Sequence, residues 1–138
     1  MTDLDTRYPN AHRFKFAEGA TRELCDHLTQ LALDGKKTGT CWPLKEMANG
    51  EPMLSPGDVA IYTDWDDKPA LAVEYLKIEI HKFDHVPEAF AISEGENDSL
   101  QGWREDHKRY HQRLGNWSEN MEMVCETFRV IARASGPA

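Results

Sequence analysis

The chain has 138 residues, 40% of them hydrophobic and 29% charged, which is the composition of one globular domain rather than of a disordered, collagen-like or coiled-coil chain. Its net charge of −8 argues against sequence-independent binding to duplex nucleic acid, which needs bulk positive charge against phosphates, but leaves room for a pocket that reads one nucleoside. The three cysteines (Cys25, Cys41 and Cys125) are far apart with no Cys-x-x-Cys, so neither a disulfide framework nor a zinc ribbon is expected.

Residues 1–13 are polar, with no apolar signal-peptide core, and are expected to be a loose leader. No apolar run approaches the ~20 residues of a membrane span. A monomeric cytoplasmic protein, without membrane or duplex nucleic-acid partners, is the expectation. Residues 20–33 carry Leu24, Leu28, Leu31 and Ala32 at helical spacing. Gly35 suits the left-handed position after that helix. Within Lys36 to Pro43 the Thr, Cys and Trp residues suit a short strand leaving the helix, and Leu44 to Asn49 reads as one or two helical turns. Ser55-Pro56-Gly57-Asp58 is a turn signal, followed by a strand at Val59 to Thr63. Asp64 to Pro69 is a charged hairpin loop, and Ala70 to Phe83 a long strand with a bend or bulge. A short helix follows Pro87, and an acidic loop covers 94–98. Ser99 caps a helix at Leu100 to Leu114 that Gly115 ends. Met121 to Ile131 alternates as a last strand. The order lacks repeating βαβ units, so a small mixed barrel with packed helices is expected rather than a doubly wound sheet.

Hydrolase, kinase and dehydrogenase signatures are absent from the sequence. His107 and His111 share a helix face, but Lys-Arg-Tyr separates them where a zincin has Glu-x-x, and that charged helix reads as a solvated face. His81 and His85 at a strand end are weak metal candidates, and no metal or other cofactor is expected. Gly35-Lys36-Lys37-Thr38-Gly39-Thr40 is more unusual, with lysines and hydroxyls at a helix-to-strand junction. A lysine amine there could activate a hydroxyl if the two converge. In Glu94-Gly95-Glu96-Asn97-Asp98 three carboxylates precede a helix, a place the helix dipole favours. Trp103 reads as core, and Arg104 could clamp a ligand. Trp42, Tyr62, Phe83 and Phe90 lie near strand ends, where some could stack on a base.

Gly35-Lys36-Lys37-Thr38-Gly39-Thr40 resembles the signature loop of ASCH domains, Gly-x-Lys-x-x-Glu-x-Arg. Ser55-Pro56-Gly57-Asp58-Val59 resembles that family's turn into a strand. Phe90 to Glu96, with Ser99-Leu100 and Trp103 to His107, resembles a bacterial subgroup, and Val124 to Val130 its closing strand. The likeness runs in order from about residue 20 to residue 132. It implies an α+β, PUA-like mixed β-barrel with flanking helices. Some small bacterial members carry Thr in place of the motif's Glu and hydrolyse the amide of N4-acetylcytidine and related N4-acylcytosines. On that pattern Lys37, Thr40 and Glu96 would be catalytic, without a metal. Trp42 stands where the motif has Arg and, with Tyr62, Phe90 and Arg104, is a candidate substrate-binding residue. Other ASCH proteins bind or cleave RNA, so an RNA binder, a ribonuclease and a non-catalytic binder of modified nucleosides are the alternatives.

Overall fold

The computed structural model describes residues 3–134. It opens with a short helix α1 (Asp3–Arg7) and a strand β1 (His12–Lys15), followed by α2 (Arg22–Leu33) and β2 (Gly39–Pro43). A 3₁₀ turn (Leu44–Asn49) leads to β3 (Val59–Thr63) and β4 (Pro69–Lys82). Two helices, α3 (Glu88–Ser93) and α4 (Leu100–Leu114), precede β5 (Glu122–Arg133). The strands make one sheet in the order β1-β3-β4-β5-β2. Only β1 runs parallel to its neighbour; the other pairings are antiparallel. This is the expected α+β architecture, curled but open, with β1 and β2 as its edges among the described residues. No helix among them is long and apolar enough to cross a membrane.

The expectation of a loose leader is corrected. Leu4 is fully buried with Ile61 and Ala72, and β1 pairs with β3 from His12 to Lys15. Burial of one leucine and a row of backbone hydrogen bonds order a segment whose composition is polar. The long fourth strand is bulged as anticipated, with register shifts against β5 at Ala72/Val73 and Tyr75/Lys77.

Along β5, alternation sends Phe128 into one apolar cluster and Met123 and Cys125 into another, so the sheet is covered on both faces. In the first cluster α2 lays Leu28 and Ala32 on Phe16, Tyr62, Tyr75 and Phe128. Phe16 stacks on Tyr62 with 4.1 Å between centroids. The second cluster holds Phe83, Ala91 and Trp103, so Phe83 is core and α3 and α4 are docked through it. Thr21 caps α2 by accepting from the Leu24 N–H, and Ser99 caps α4 by accepting from the Gly102 N–H. These caps fix where both helices begin.

Candidate active site

Two backbone segments far apart in sequence meet beside edge strand β2, and two glycines let them. Past the end of α2 the chain folds back, with the N–H groups of Lys36 and Lys37 both donating to the Leu31 carbonyl. Thr38 N–H then donates to the Ser93 carbonyl at 2.7 Å. A Cβ at Gly39 would stand 2.5 Å from Ser93 Oγ and 3.1 Å from the Phe90 ring. Gly95 has φ +88°, and a Cβ there would stand 2.9 Å from the Lys36 carbonyl oxygen. Any larger residue at either position would push the two segments apart.

The close approach buries Lys37 against Glu94. Lys37 is 2% exposed and Glu94 4%. Lys37 Nζ lies 3.5 Å from Glu94 Oε1 and donates to the carbonyls of Gly39 at 2.8 Å and Glu94 at 3.4 Å. It also sits over the Phe16 ring, 5.3 Å from its centroid. The amine thus rests on the peptide that links Gly39 to Thr40.

Glu94 is the hub of this network. Its Oε2 accepts from Trp103 Nε1 at 2.5 Å and from the Cys41 thiol at 3.4 Å, and lies 3.4 Å from His107 Nε2. His107 Nδ1 faces the Trp103 carbonyl at 2.9 Å. Both ring nitrogens therefore meet acceptors, the pattern of an imidazolium. Burial disfavours that charge, but the Glu94 charge and hydrogen bond outweigh it and raise the His107 pKa. Burial likewise works against the Glu94 carboxylate. The charges of His107 and Lys37, with hydrogen bonds from His107 and Trp103, prevail and hold it well below the usual carboxylate range.

The ligand atoms of Cys41, Glu94 and His107 lie within 4.8 Å of one another, a His/Cys/acid trio at metal-ligand spacing among the described residues. Their chemistry suits a hydrogen-bonded cluster better than a metal centre. Burial, and then the Glu94 charge, push the Cys41 thiol well up, whereas a metal takes the thiolate. A cation on Glu94 would also meet Lys37 and the Trp103 N–H.

A cleft of about 610 Å³ opens over this network, and Lys37, Thr40, Trp42, Tyr62, Glu94 and Glu96 are among its lining residues. Thr40 is half-buried, and its hydroxyl makes no hydrogen bond among the described residues. Trp42 follows on the same face of β2 and donates Nε1–H to Glu126 Oε2 at 3.1 Å. Tyr62 lies in the floor, its hydroxyl 2.7 Å from that of Tyr75.

Several expectations are corrected. The carboxylate against Lys37 is Glu94; Glu96 is exposed at the cleft wall. Phe90 lies beneath Gly39, packed on the second cluster, and does not line the cleft. Arg104 does not line it either: its Nη2 donates to the Asp84 carbonyl at 2.6 Å and ties α4 to the turn after β4. The His107 and His111 face of α4 is not solvated. Both line the cleft, and His111 is buried with Nδ1 3.0 Å from Asn116 Oδ1. His81, by contrast, pairs with Glu79, and His85 is exposed.

The sequence matches the ASCH domain family over residues 14–132. The chain belongs to the ASCH family. A crystal structure from Enterococcus faecalis V583 is 25% identical, with a TM-score of 0.80, covering 99% of this chain and 92% of that one. The ASCH domain from Lactobacillus crispatus JV V101 is 29% identical, with a TM-score of 0.77, covering 95% of this chain and 86% of that one. The ASCH protein of Zymomonas mobilis, solved as a point mutant, is similar in fold at 11% identity and a TM-score of 0.55, covering 82% of this chain and 69% of that one. Nothing among functionally curated proteins matches this ASCH chain.

Of two groups in the cleft, the sequence reading places His107 on a solvated face and does not single out Glu126, although a signal for each is present. His107 stands four residues after the core residue Trp103, hence on the same helix face; their rings stack at 4.2 Å between centroids. Glu126 falls between the buried Val124 and Phe128 in one alternating set of β5.

Proposed function

We propose that this ASCH protein is an amidohydrolase that removes acyl groups from N4 of N4-acetylcytidine and related N4-acylcytosine nucleosides. The observation that carries the reading is that the buried Lys37–Glu94 pair and Thr40, whose hydroxyl is unengaged among the described residues, line one nucleoside-sized cleft. In this mechanism Thr40 Oγ attacks the acyl carbon. Its proton goes to Lys37, which Glu94 orients. The C–N4 bond then breaks, Lys37 returns that proton to N4, and cytidine leaves. Water hydrolyses the acyl-threonine ester to free acid and restores the hydroxyl. A nucleophile, a base and a third group holding the base is the general pattern of such catalysis, and its acid–base part is typically worth ~10²–10⁴ in rate. Glu94 takes the role that the family pattern suggested for Glu96.

The test is the ultraviolet change when N4-acetylcytidine becomes cytidine. Wild type is expected to turn over, and Thr40→Ala to lose nearly all activity with an unchanged melting temperature, because the Thr40 hydroxyl holds no hydrogen bond among the described residues and the backbone pairing of β2 with β5 is kept. Substantial activity in a folded Thr40→Ala would remove the nucleophile role. Cleavage of single-stranded RNA by wild type, with N4-acetylcytidine left intact, would replace this reading with that of a ribonuclease.

A further inference from the structure

Among the buried carboxyls of the cleft, Glu126 has no part in the chemistry above. It is 3% exposed, lines the cleft, and is hydrogen-bonded through Oε2 to Trp42 Nε1–H. No cation pairs with it among the described residues, and no hydrogen bond there engages its Oε1. Thr40 and Glu126 are directly opposed in the β2–β5 ladder. Directly opposed residues point to the same face with Cβ atoms ~5 Å apart. The carboxyl therefore stands beside the hydroxyl, within reach of whatever is bonded to the atom that the hydroxyl attacks.

We propose that Glu126 is the base-reading residue of this cleft, a neutral carboxylic acid that donates its O–H to ring N3 of a 4-aminopyrimidine and accepts the N4–H with its carbonyl oxygen. This rests on the N4-acylcytosine reading for its substrate class. An N4-acylcytosine with its acyl carbon at Thr40 presents N4–H one bond away and N3 two bonds further. An acceptor beside a donor is the pattern that a carboxylic acid complements with two parallel hydrogen bonds. An ionised carboxylate would instead set an oxygen lone pair against that of N3. Burial favours the neutral form, and the nearby Glu51 charge adds to it against the opposing Trp42 hydrogen bond, so that Glu126 titrates at about 7. The other titratable groups coupled to it are Tyr62, Tyr75 and Cys125, all pushed up by burial and neutral at that pH.

Cytidine, the product, is the probe, with its binding measured by calorimetry from about pH 6 to about pH 9, a range in which free cytidine does not titrate. In wild type the affinity is expected to fall as pH rises through about 7, approaching about tenfold per pH unit once the carboxyl is ionised. Glu126→Gln keeps one donor and one acceptor in the same shape, so its affinity should be level across the range. Glu126→Ala should bind roughly ten- to hundredfold more weakly at the low end, the value of two hydrogen bonds. Circular dichroism and a thermal melt establish that each variant is folded. No measurable cytidine binding by wild type, a level wild-type profile, or undiminished binding by Glu126→Ala would each overturn the assignment. Hydrolysis of N4-acetylcytidine combined with Glu126-independent cytidine binding would sink this inference and leave the hydrolase standing. Glu126-dependent cytidine binding without hydrolysis would do the reverse.

Discussion

Glu94→Gln tests the site through stability, without a substrate. The substitution keeps the side-chain shape but leaves Lys37 and His107 buried without their shared carboxylate. Removing one partner of a buried pair typically costs about 3–5 kcal/mol. In a domain of this size that is a fall in melting temperature of about 10–20 °C. The loss should depend on pH in a defined way. Glu94 is held low in the folded state, so its stabilisation is present above the ordinary carboxylate range and disappears as pH falls through the depressed value. His107 is held high, so its contribution is full below the ordinary histidine value and disappears as pH rises through the raised one. The gap between wild type and Glu94→Gln should therefore be widest between about pH 4.3 and about pH 6.5 and narrow on either side. Differential scanning calorimetry across this range measures it. Glu96→Gln, at an exposed carboxylate, is the control and should lie within ~0.5 kcal/mol of wild type. A Glu94→Gln melt within about 2 °C of wild type near pH 5.5, or a gap that does not vary with pH, would refute the hub role assigned to Glu94.

Three other outcomes are expected. Lys37→Arg should abolish hydrolysis as fully as Lys37→Ala if Lys37 carries the proton, because a guanidinium stays protonated; a large share of wild-type rate in Lys37→Arg would sink the base assignment and leave Thr40 as nucleophile. Prolonged treatment with a strong chelator should leave the rate unchanged, since Cys41, Glu94 and His107 are already committed to one another; loss of activity with recovery on added zinc would overturn that. Gly95→Ala combines a positive φ with a 2.9 Å approach to the Lys36 carbonyl and should lose activity together with at least ~1–2 kcal/mol of stability in a denaturant titration; wild-type behaviour would show that the two segments need not lie so close.

Local signals carried much of the fold. The cap at Ser99, the turn before β3 and the alternation of β5 each stand within a few residues of the element they fix. What the sequence withheld depends on distant partners. The helix α1 and strand β1 look polar because their stability comes from burying Leu4 under β3 and β4 and from pairing with β3. Likewise the choice between Glu94 and Glu96 hangs on the turn at Gly95, whose φ of +88° sends the two carboxylates to different environments. Spacing along the chain gives no sign of it. Arg104 and Phe90 were chemically plausible ligand groups, but packing of α4 and α3 against the turn after β4 and against Gly39 takes them out of the cleft.

The Lys37–Glu94 contact spans 57 positions of sequence, and β2, which carries Thr40, is stitched to the last strand of the chain. No fragment that ends before β5 can therefore assemble this constellation, and any partly unfolded form that frees α3 and α4 dissolves it. Loss of function in denaturant should consequently track the global transition rather than precede it. The earliest catalysis after refolding is then a clock for the last long-range docking event, not for the formation of any single helix or hairpin.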